Sequence, residues 1–193
     1  MRIEVAVIIG VLLSHAGRLN AQVALSQPRW EAAAEYNYVH SNAPPSGCGC
    51  FSLNGGSGSL SYRFAPHWKA VGEFSGSHAG SVNKTSNDLT LLTYLFGGRY
   101  EVIPGARVHP FGQALFGGTH AGGRLYSPAG GFSGSTNKFA MRVGGGIDFD
   151  LNARWSLRLF EADYFLTKLP NGSNNRQNNL WLGTGLAVRF GGR

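Results

Sequence analysis

The sequence is poor in charge and in cysteine, and it has no apolar run long enough for a membrane-spanning helix. Only 14% of its 193 residues are charged, whereas 29 are glycine and 12% are aromatic. This composition favours a strand-rich chain over a helical one and argues against an ordinary enzyme core. The apolar run Val5–Leu13 falls well short of the roughly 20 residues that a spanning helix needs.

The balance of charge is strongly basic, with a formal net charge of +7 and an isoelectric point near 9.8. Such a balance is found in many nucleic-acid-binding proteins. In this chain, however, the lysines and arginines are spread singly and do not form a stripe. We therefore expect no nucleic-acid partner.

Residues 1–21 have the features of a secretory signal peptide. Arg2 lies near the start, the apolar run follows, and a polar stretch ends in Leu19-Asn20-Ala21. A buried N-terminal strand is the alternative interpretation. No cysteine lies near the expected cleavage point, so a lipoprotein anchor is not indicated. We expect export, with residues 22–193 as the mature chain.

The clearest pattern lies near the C-terminus, where bulky and small residues alternate. One face carries Leu180, Leu182, Thr184, Leu186, Val188 and Phe190. The other face carries Trp181, Gly183, Gly185, Ala187 and Arg189. Period two predicts a strand with one apolar face. In water that face would need a covering core, and no helical segment supplies one, whereas lipid would cover it in a closed membrane barrel.

Eight segments carry this alternation, and most have the length of about ten residues that a tilted membrane strand needs. We expect strands at 30–39, 58–65, 68–76, 89–100, 107–117, 138–149, 155–166 and 180–190. Short turns and both termini gather at one end. Long, mobile loops gather at the other end, at 40–57, 77–88, 118–137 and 167–179. The pattern predicts an all-β fold, an eight-stranded antiparallel up-and-down transmembrane β-barrel that forms one domain over residues 22–193.

Two features favour a membrane barrel over a soluble one. A soluble eight-stranded barrel has less reason to place all its long loops at one rim. Aromatic residues also lie near the expected strand ends, as an interfacial girdle requires. They are Trp30, Tyr38, Tyr62, Trp68, Tyr100 and Trp155.

The alternation also divides each strand into a lipid face and an inward face. The charged residues that it places inward are Glu31, Glu35, Arg63, Glu73, Arg99, Arg142, Asp148, Arg158 and Arg189. Glu161 and Asp163 join them if a bulge shifts the register of the seventh strand. Charges of both signs in a narrow lumen favour an ion-pair network that holds the barrel shut. A polar pathway for small solutes is the alternative.

Three segments resemble the last three strands of the OmpA-like outer-membrane β-barrel family. They are Val143–Phe149, Trp155–Arg158 with Asp163-Tyr164 after it, and Gly185–Gly191. The resemblance implies a place in the cell outer membrane, surrounded by its lipid, and insertion by the barrel assembly machinery. In this family the terminal aromatic strand is the recognition signal for that machinery, which the resemblance places at Phe190.

Candidate chemistry is sparse, and we expect neither an enzyme nor a cofactor. Cys48 and Cys50 lie in the first long loop of an exported chain, where oxidising conditions favour a disulfide. Pairing between molecules and a metal site are the alternatives, although two thiolates with only His40 nearby make a poor metal site. His40 and Ser41 are adjacent, so they lack the spacing of two found in outer-membrane lipid hydrolases. The strand alternation also places no acid beside them.

Together these patterns favour a monomeric barrel with a structural or surface-interaction role, in which the long loops contact an extracellular ligand. A narrow channel for small solutes or ions is the alternative. Its path would be lined by Arg142, Arg158, Arg189, Glu31 and Glu35. An outer-membrane lipid hydrolase using His40 and Ser41 is a third hypothesis.

Overall fold

The alternation of polar and apolar residues produces a sheet in which every strand has two unlike faces. A computed structural model describes residues 28–43, 49–82, 87–124, 134–170 and 175–191. Among these residues, no helix has the length and apolar character needed to cross a membrane. The strands are β1 (Trp30–Ala43), β2 (Gly49–Arg63), β3 (Trp68–Ala79), β4 (Leu89–Glu101), β5 (Val108–Gly123), β6 (Gly134–Asp150), β7 (Trp155–Thr167) and β8 (Gln177–Phe190).

The eight strands form one closed antiparallel barrel in chain order. Each strand pairs with its neighbours in sequence, and β8 pairs with β1 to close the sheet. The closing register places Trp30 opposite Phe190 and Ser41 opposite Asn179. The fold class expected from the sequence is confirmed.

The two ends of the barrel differ, and we call them the loop end and the turn end. At the loop end, residues 44–48, 80–88, 124–133 and 168–176 connect the strands. At the turn end, residues 64–67, 102–107 and 151–154 connect them. The first strand begins and the last strand finishes at the turn end as well.

The expected loop at 40–57 is wrong. β1 continues to Ala43 and β2 begins at Gly49, and the two strands pair along their whole length. The segment resembles a loop because it is rich in serine, asparagine and glycine. Pairing with both neighbours overrides that local preference, and it places Phe51 and Leu53 inside the barrel, where both are buried. The other three loops are also shorter than expected, since β5 extends to Gly123 and β8 begins at Gln177.

The two faces of the wall follow the expected alternation. On β8, Leu180, Leu182 and Leu186 are exposed on the outside, whereas Trp181 is only 1% exposed and faces inward. The outer face of the other strands also carries large apolar side chains, and Phe96 is 65% exposed. Such a surface is suited to lipid contact.

A bulge in β7 changes which residues face inward. Ile147 pairs with Phe160, but the next residue, Asp148, pairs with Arg158. The residue that is passed over is Leu159, and the register of β7 with β8 shifts at the same place. Leu159 and Phe160 are therefore both exposed outside. Beyond the bulge, Glu161 and Asp163 face inward and are buried.

Aromatic side chains pair across strands at the turn end. The ring centres of Trp30 and Tyr62 are 4.8 Å apart, and those of Trp68 and Tyr100 are 5.1 Å apart. Tyr38 does not lie at a strand end, because β1 continues past it to Ala43. The expected aromatic girdle therefore has its paired members at the turn end.

Some glycines are required because neighbouring strands approach them closely. A Cβ atom on Gly97 would lie 2.0 Å from the carbonyl oxygen of Ala114. A Cβ atom on the next residue, Gly98, would have its nearest contact at 3.8 Å, a ring carbon of Trp68. Gly97 therefore permits a close approach of β4 to β5, whereas Gly98 has room for a side chain.

We expect Gly97→Ala to destabilise the barrel by about 1–3 kcal/mol, because the new methyl group must push two backbones apart. Gly98→Ala is the matched control and should be nearly neutral. Urea unfolding in lipid vesicles, followed by tryptophan fluorescence, measures both variants. Equal unfolding midpoints for the two variants would contradict the close approach.

Candidate functional site

The middle of the lumen is filled by charged side chains, and Arg158 lies at its centre. The Arg158 guanidinium donates to both carboxylate oxygens of Asp148, at 2.8 and 3.1 Å. Its Nη1 atom also donates to Glu35 at 2.5 Å and to Glu161 at 3.0 Å. The Arg158 side chain is 1% exposed. Carboxylates from three different strands therefore meet at one guanidinium.

Arg142 forms a second centre, nearer the loop end. Its Nη2 atom donates to Glu73 at 2.7 Å and to Glu161 at 2.9 Å. Its Nε atom lies 2.8 Å from Asp163. The guanidinium carbon also lies 4.1 Å from the ring centre of Trp181. Glu161 thus links the two arginines.

Arg99 joins the same network through a neutral residue. Its Nε and Nη2 atoms donate to Gln113 Oε1 at 3.0 and 2.8 Å. Gln113 Nε2 in turn donates to Glu161 at 2.8 Å and Asp163 at 2.9 Å. The Arg99 guanidinium also lies over the ring of Phe111, at 4.3 Å.

The turn-end opening of the lumen is also filled by ion pairs. Lys69 donates to Glu31 at 2.9 Å and lies 2.5 Å from Glu101. Arg63 donates to Glu101 at 2.6 Å. These contacts join β1, β2, β3 and β4 across the opening.

A second group of ion pairs occupies the other side of this opening. Arg189 lies 3.1 Å from Glu31 and 2.7 Å from Asp150. His109 Nε2 lies 2.8 Å from the same Asp150 carboxylate. Strands β1, β5, β6 and β8 are therefore connected at the turn end, and Glu31 is shared with the first group.

The structure brings together all nine charged residues that the sequence placed in the lumen, and it adds others. The additions are Lys69, Glu101, His109, Gln113 and Asp150. Lys69 and His109 lie on the inward positions of expected strands, so the alternation could have identified them. Glu101 and Asp150 fall in segments predicted as turns, so the alternation did not assign them a face. Gln113 is uncharged, so a search for inward charges does not identify it.

The loop-end half of the lumen contains a cluster of buried apolar side chains, which the sequence did not lead us to expect, beside buried polar ones such as Ser41, Ser77 and Asn179. We call the apolar cluster the apolar layer. Its members are buried, with exposed fractions of 7% or less. They are Val39, Phe51, Leu53, Val82, Leu89, Leu91, Phe165, Leu169 and Trp181. Val82 and Leu169 lie outside the strands, so connecting segments also contribute to the layer.

Acidic and basic residues are distributed unequally between the lumen and the rims. Every acidic residue after position 21 except Asp88 lies in the lumen or its turn-end opening. Cations lie on both rims and are exposed. Among the described residues these are Arg29, Arg107 and Arg154 at the turn end, and Arg124, Lys138, Lys168 and Arg176 at the loop end. The basic character of the chain is therefore a property of its rims.

Polar pairs across strands mark the outer face near the loop end. His78 Nδ1 lies 2.9 Å from Thr90 Oγ1, and Tyr164 donates to Asn178 Oδ1 at 2.5 Å. Tyrosine and histidine have an apolar body and a polar tip, which suits a boundary between lipid and water. This part of the wall therefore has the character of a membrane interface.

His40 and Ser41 do not form the pair that the hydrolase hypothesis needs. Adjacent residues of a strand point to opposite faces, and Ser41 is buried inside, donating to Asn179 at 2.7 Å. His40 faces outward and lies 3.5 Å from Ser52, whose hydroxyl is 2.6 Å from that of Tyr38. The partner that the structure gives to His40 is therefore the hydroxyl of Ser52 on the outer wall and not that of Ser41.

Two further expectations concern single positions. Cys48 lies outside the described residues, so its disulfide with Cys50 stays a prediction. Cys50 itself is an exposed residue of β2 and not part of a long loop. Phe190 ends β8 on the outer face, beside Trp30, and its role in assembly stays a prediction.

A closed eight-stranded barrel with an apolar outer face and a charged, filled lumen defines the class of small outer-membrane barrels. A family model described as the outer membrane protein beta-barrel domain matches residues 9–190. The chain belongs to that family, and its location is the outer membrane. No curated protein matches the chain.

Solved structures with the same fold include three bacterial outer-membrane barrel proteins. Neisserial surface protein A has a TM-score of 0.65 and 15% identity, over 83% of this chain and 97% of that one. Ail, the attachment invasion locus protein of Yersinia pestis, has a TM-score of 0.55 and 19% identity, over 85% and 99%. OprG from Pseudomonas aeruginosa has a TM-score of 0.54 and 14% identity, over 86% and 97%. At these identities the likeness concerns the fold alone.

We expect Arg158→Met to destabilise the barrel by about 3–5 kcal/mol, because buried carboxylates lose their shared cation. Arg124→Met is the control, since Arg124 is largely exposed and lies 3.9 Å from its partner Asp88. Its loss should cost less than about 1 kcal/mol. Urea unfolding in vesicles measures both. A small effect at Arg158 would show that the network contributes little to the stability of the wall.

Proposed function

We propose that this protein is a closed outer-membrane scaffold that presents its loop-end surface to molecules outside the cell. The observation that carries the proposal is the filled lumen. Charged side chains occupy its middle and its turn-end opening, and the apolar layer together with buried polar side chains fills its loop-end half. An eight-stranded barrel has an interior only wide enough to be filled by side chains.

The channel hypothesis receives less support for two physical reasons. An ion on the axis would have to displace guanidinium groups that are held by several carboxylates each, as at Arg158 and Arg142. It would then have to cross the apolar layer, and a narrow apolar constriction resists wetting. Both barriers lie on the same path, one after the other.

A surface role is consistent with the features of the loop end. Its connecting segments include exposed cations, and its outer wall carries the polar pairs described above. Ail has been solved in complex with sucrose octasulfate, a heparin analogue. A soluble or matrix-bound ligand of that kind is one class of extracellular partner for this chain. A lipid hydrolase is less supported, because His40 and Ser41 lie on opposite faces.

We also propose the route by which the chain reaches its membrane. Residues 1–21 direct export, residues 22–193 remain as the mature barrel, and the barrel assembly machinery recognises the β8 terminus at Phe190. The support is the outward aromatic side chain of Phe190 at the end of a strand that closes the barrel. The barrel is complete within one chain, which favours a monomer.

We expect the purified barrel to give no stable conductance steps in planar bilayers bathed in concentrated KCl. A general porin confirms that the bilayer responds to insertion, and flotation of vesicles confirms that the barrel has inserted. Reproducible steps whose size changes in Glu35→Gln would overturn the closed lumen, because Glu35 lies on the path and contacts Arg158.

We expect trypsin added to intact cells to cut after Arg124 and Arg176, which lie in loop-end connections. Arg107 and Arg154, in turn-end connections, should be cut only after the outer membrane is permeabilised. Mass spectrometry of the fragments distinguishes the sites. External cleavage at the turn end with protection of the loop end would reverse the proposed orientation and remove the contact surface.

A further inference from the structure

A groove at the loop end lies where β6, β7 and β8 meet. Its volume is about 560 Å³, and the residues that line it are Lys138, Leu166, Lys168, Pro170, Asn175 and Arg176. Three of these six side chains are cationic. Leu166 is only 5% exposed, so it forms an apolar part of the lining. The groove therefore combines positive charge with an apolar contact surface.

Carboxylates of the mature chain are placed away from this groove. They lie in the lumen or its turn-end opening, apart from Asp88, whose carboxylate lies 3.9 Å from Arg124. The lining of the groove itself contains three cations and no acid. An anion with several oxygen acceptors is the ligand that lysine and arginine bind best in such a setting.

The groove also lies at the membrane boundary. Lys168 Nζ is 5.7 Å from the ring centre of Phe139, which is 42% exposed on the lipid-facing wall. The Lys168 amide donates to the Phe139 carbonyl at 3.0 Å, which fixes the segment against β6. One cation of the groove therefore stands directly above a lipid-facing aromatic side chain, at the level of lipid headgroups.

We propose that this groove binds the phosphate of an anionic lipid headgroup in the surrounding leaflet. Lys138, Lys168 and Arg176 contact the phosphate oxygens, and the apolar wall below Lys168 contacts the acyl chains. A lipid fits better than a soluble polyanion, because the groove holds apolar Leu166 and Pro170 and continues onto lipid-facing Phe139. The site goes beyond the surface role proposed above and does not depend on whether the lumen conducts.

The test uses the folded full-length barrel in phosphatidylcholine nanodiscs, with lipid A carrying both phosphates as the probe. The groove variant is Lys138→Gln with Lys168→Gln and Arg176→Gln. The control variant removes the same charge at the turn end, by Arg29→Gln with Arg107→Gln and Arg154→Gln. We expect about tenfold weaker lipid A binding in the groove variant, in line with three modest charge contacts. The control variant should bind like the unaltered protein.

Three results of the lipid A measurements would overturn the proposal. They are unchanged binding in the groove variant, an equal loss in both variants, and binding of dephosphorylated lipid A as tight as that of the phosphorylated probe. Binding of sucrose octasulfate without binding of lipid A would overturn it in favour of a soluble polyanion. A change of gel migration on heating confirms that each variant is folded. If the triple variant does not fold, Lys138→Gln alone replaces it, with an expected loss of about threefold.

Discussion

Pairing of the backbone is the constraint on which the rest of this structure depends. In lipid, an unpaired N–H or C=O group has no water to bind, so a sheet must close on itself. Here closure is made by β1 and β8, which pair from Trp30 with Phe190 at the turn end to Ser41 with Asn179 near the loop end. Once the wall is closed, alternation sends half of its side chains to lipid and half into a narrow interior.

That interior is where the chain places most of its acidic residues. The inward charges stabilise one another only as a group, since Glu161 is shared by Arg142 and Arg158, and Glu31 by Lys69 and Arg189. Buried ion pairs of this kind give specificity to the packing at a cost in desolvation. The rims keep the remaining cations, and a protein whose lumen is nearly balanced in charge therefore acquires a strongly basic surface.

The sequence predicted the fold well, because alternation is local and translates directly into a wall with two faces. It predicted the bounds of β4 and β7 to within one residue, and the nine charges that it placed inward lie on the inner face. It failed at 40–57, where serine and glycine suggest a loop but cross-strand pairing makes a strand. It also missed the apolar layer, because that layer forms where residues from different strands lie at the same level along the barrel axis. The stagger between neighbouring strands sets those levels, and the sequence of one strand does not encode the stagger.

The bulge at Leu159 has a consequence for how such a chain can change over time. Loss of Leu159 would only remove the bulge, because Arg158, Phe160 and Glu161 would then alternate regularly and Glu161 and Asp163 would stay inward. Loss of Ala162, by contrast, would place Glu161 and Asp163 next to each other and turn one of the two carboxylates toward lipid. The length of β7 is therefore free to change at the bulge and is fixed on either side of it.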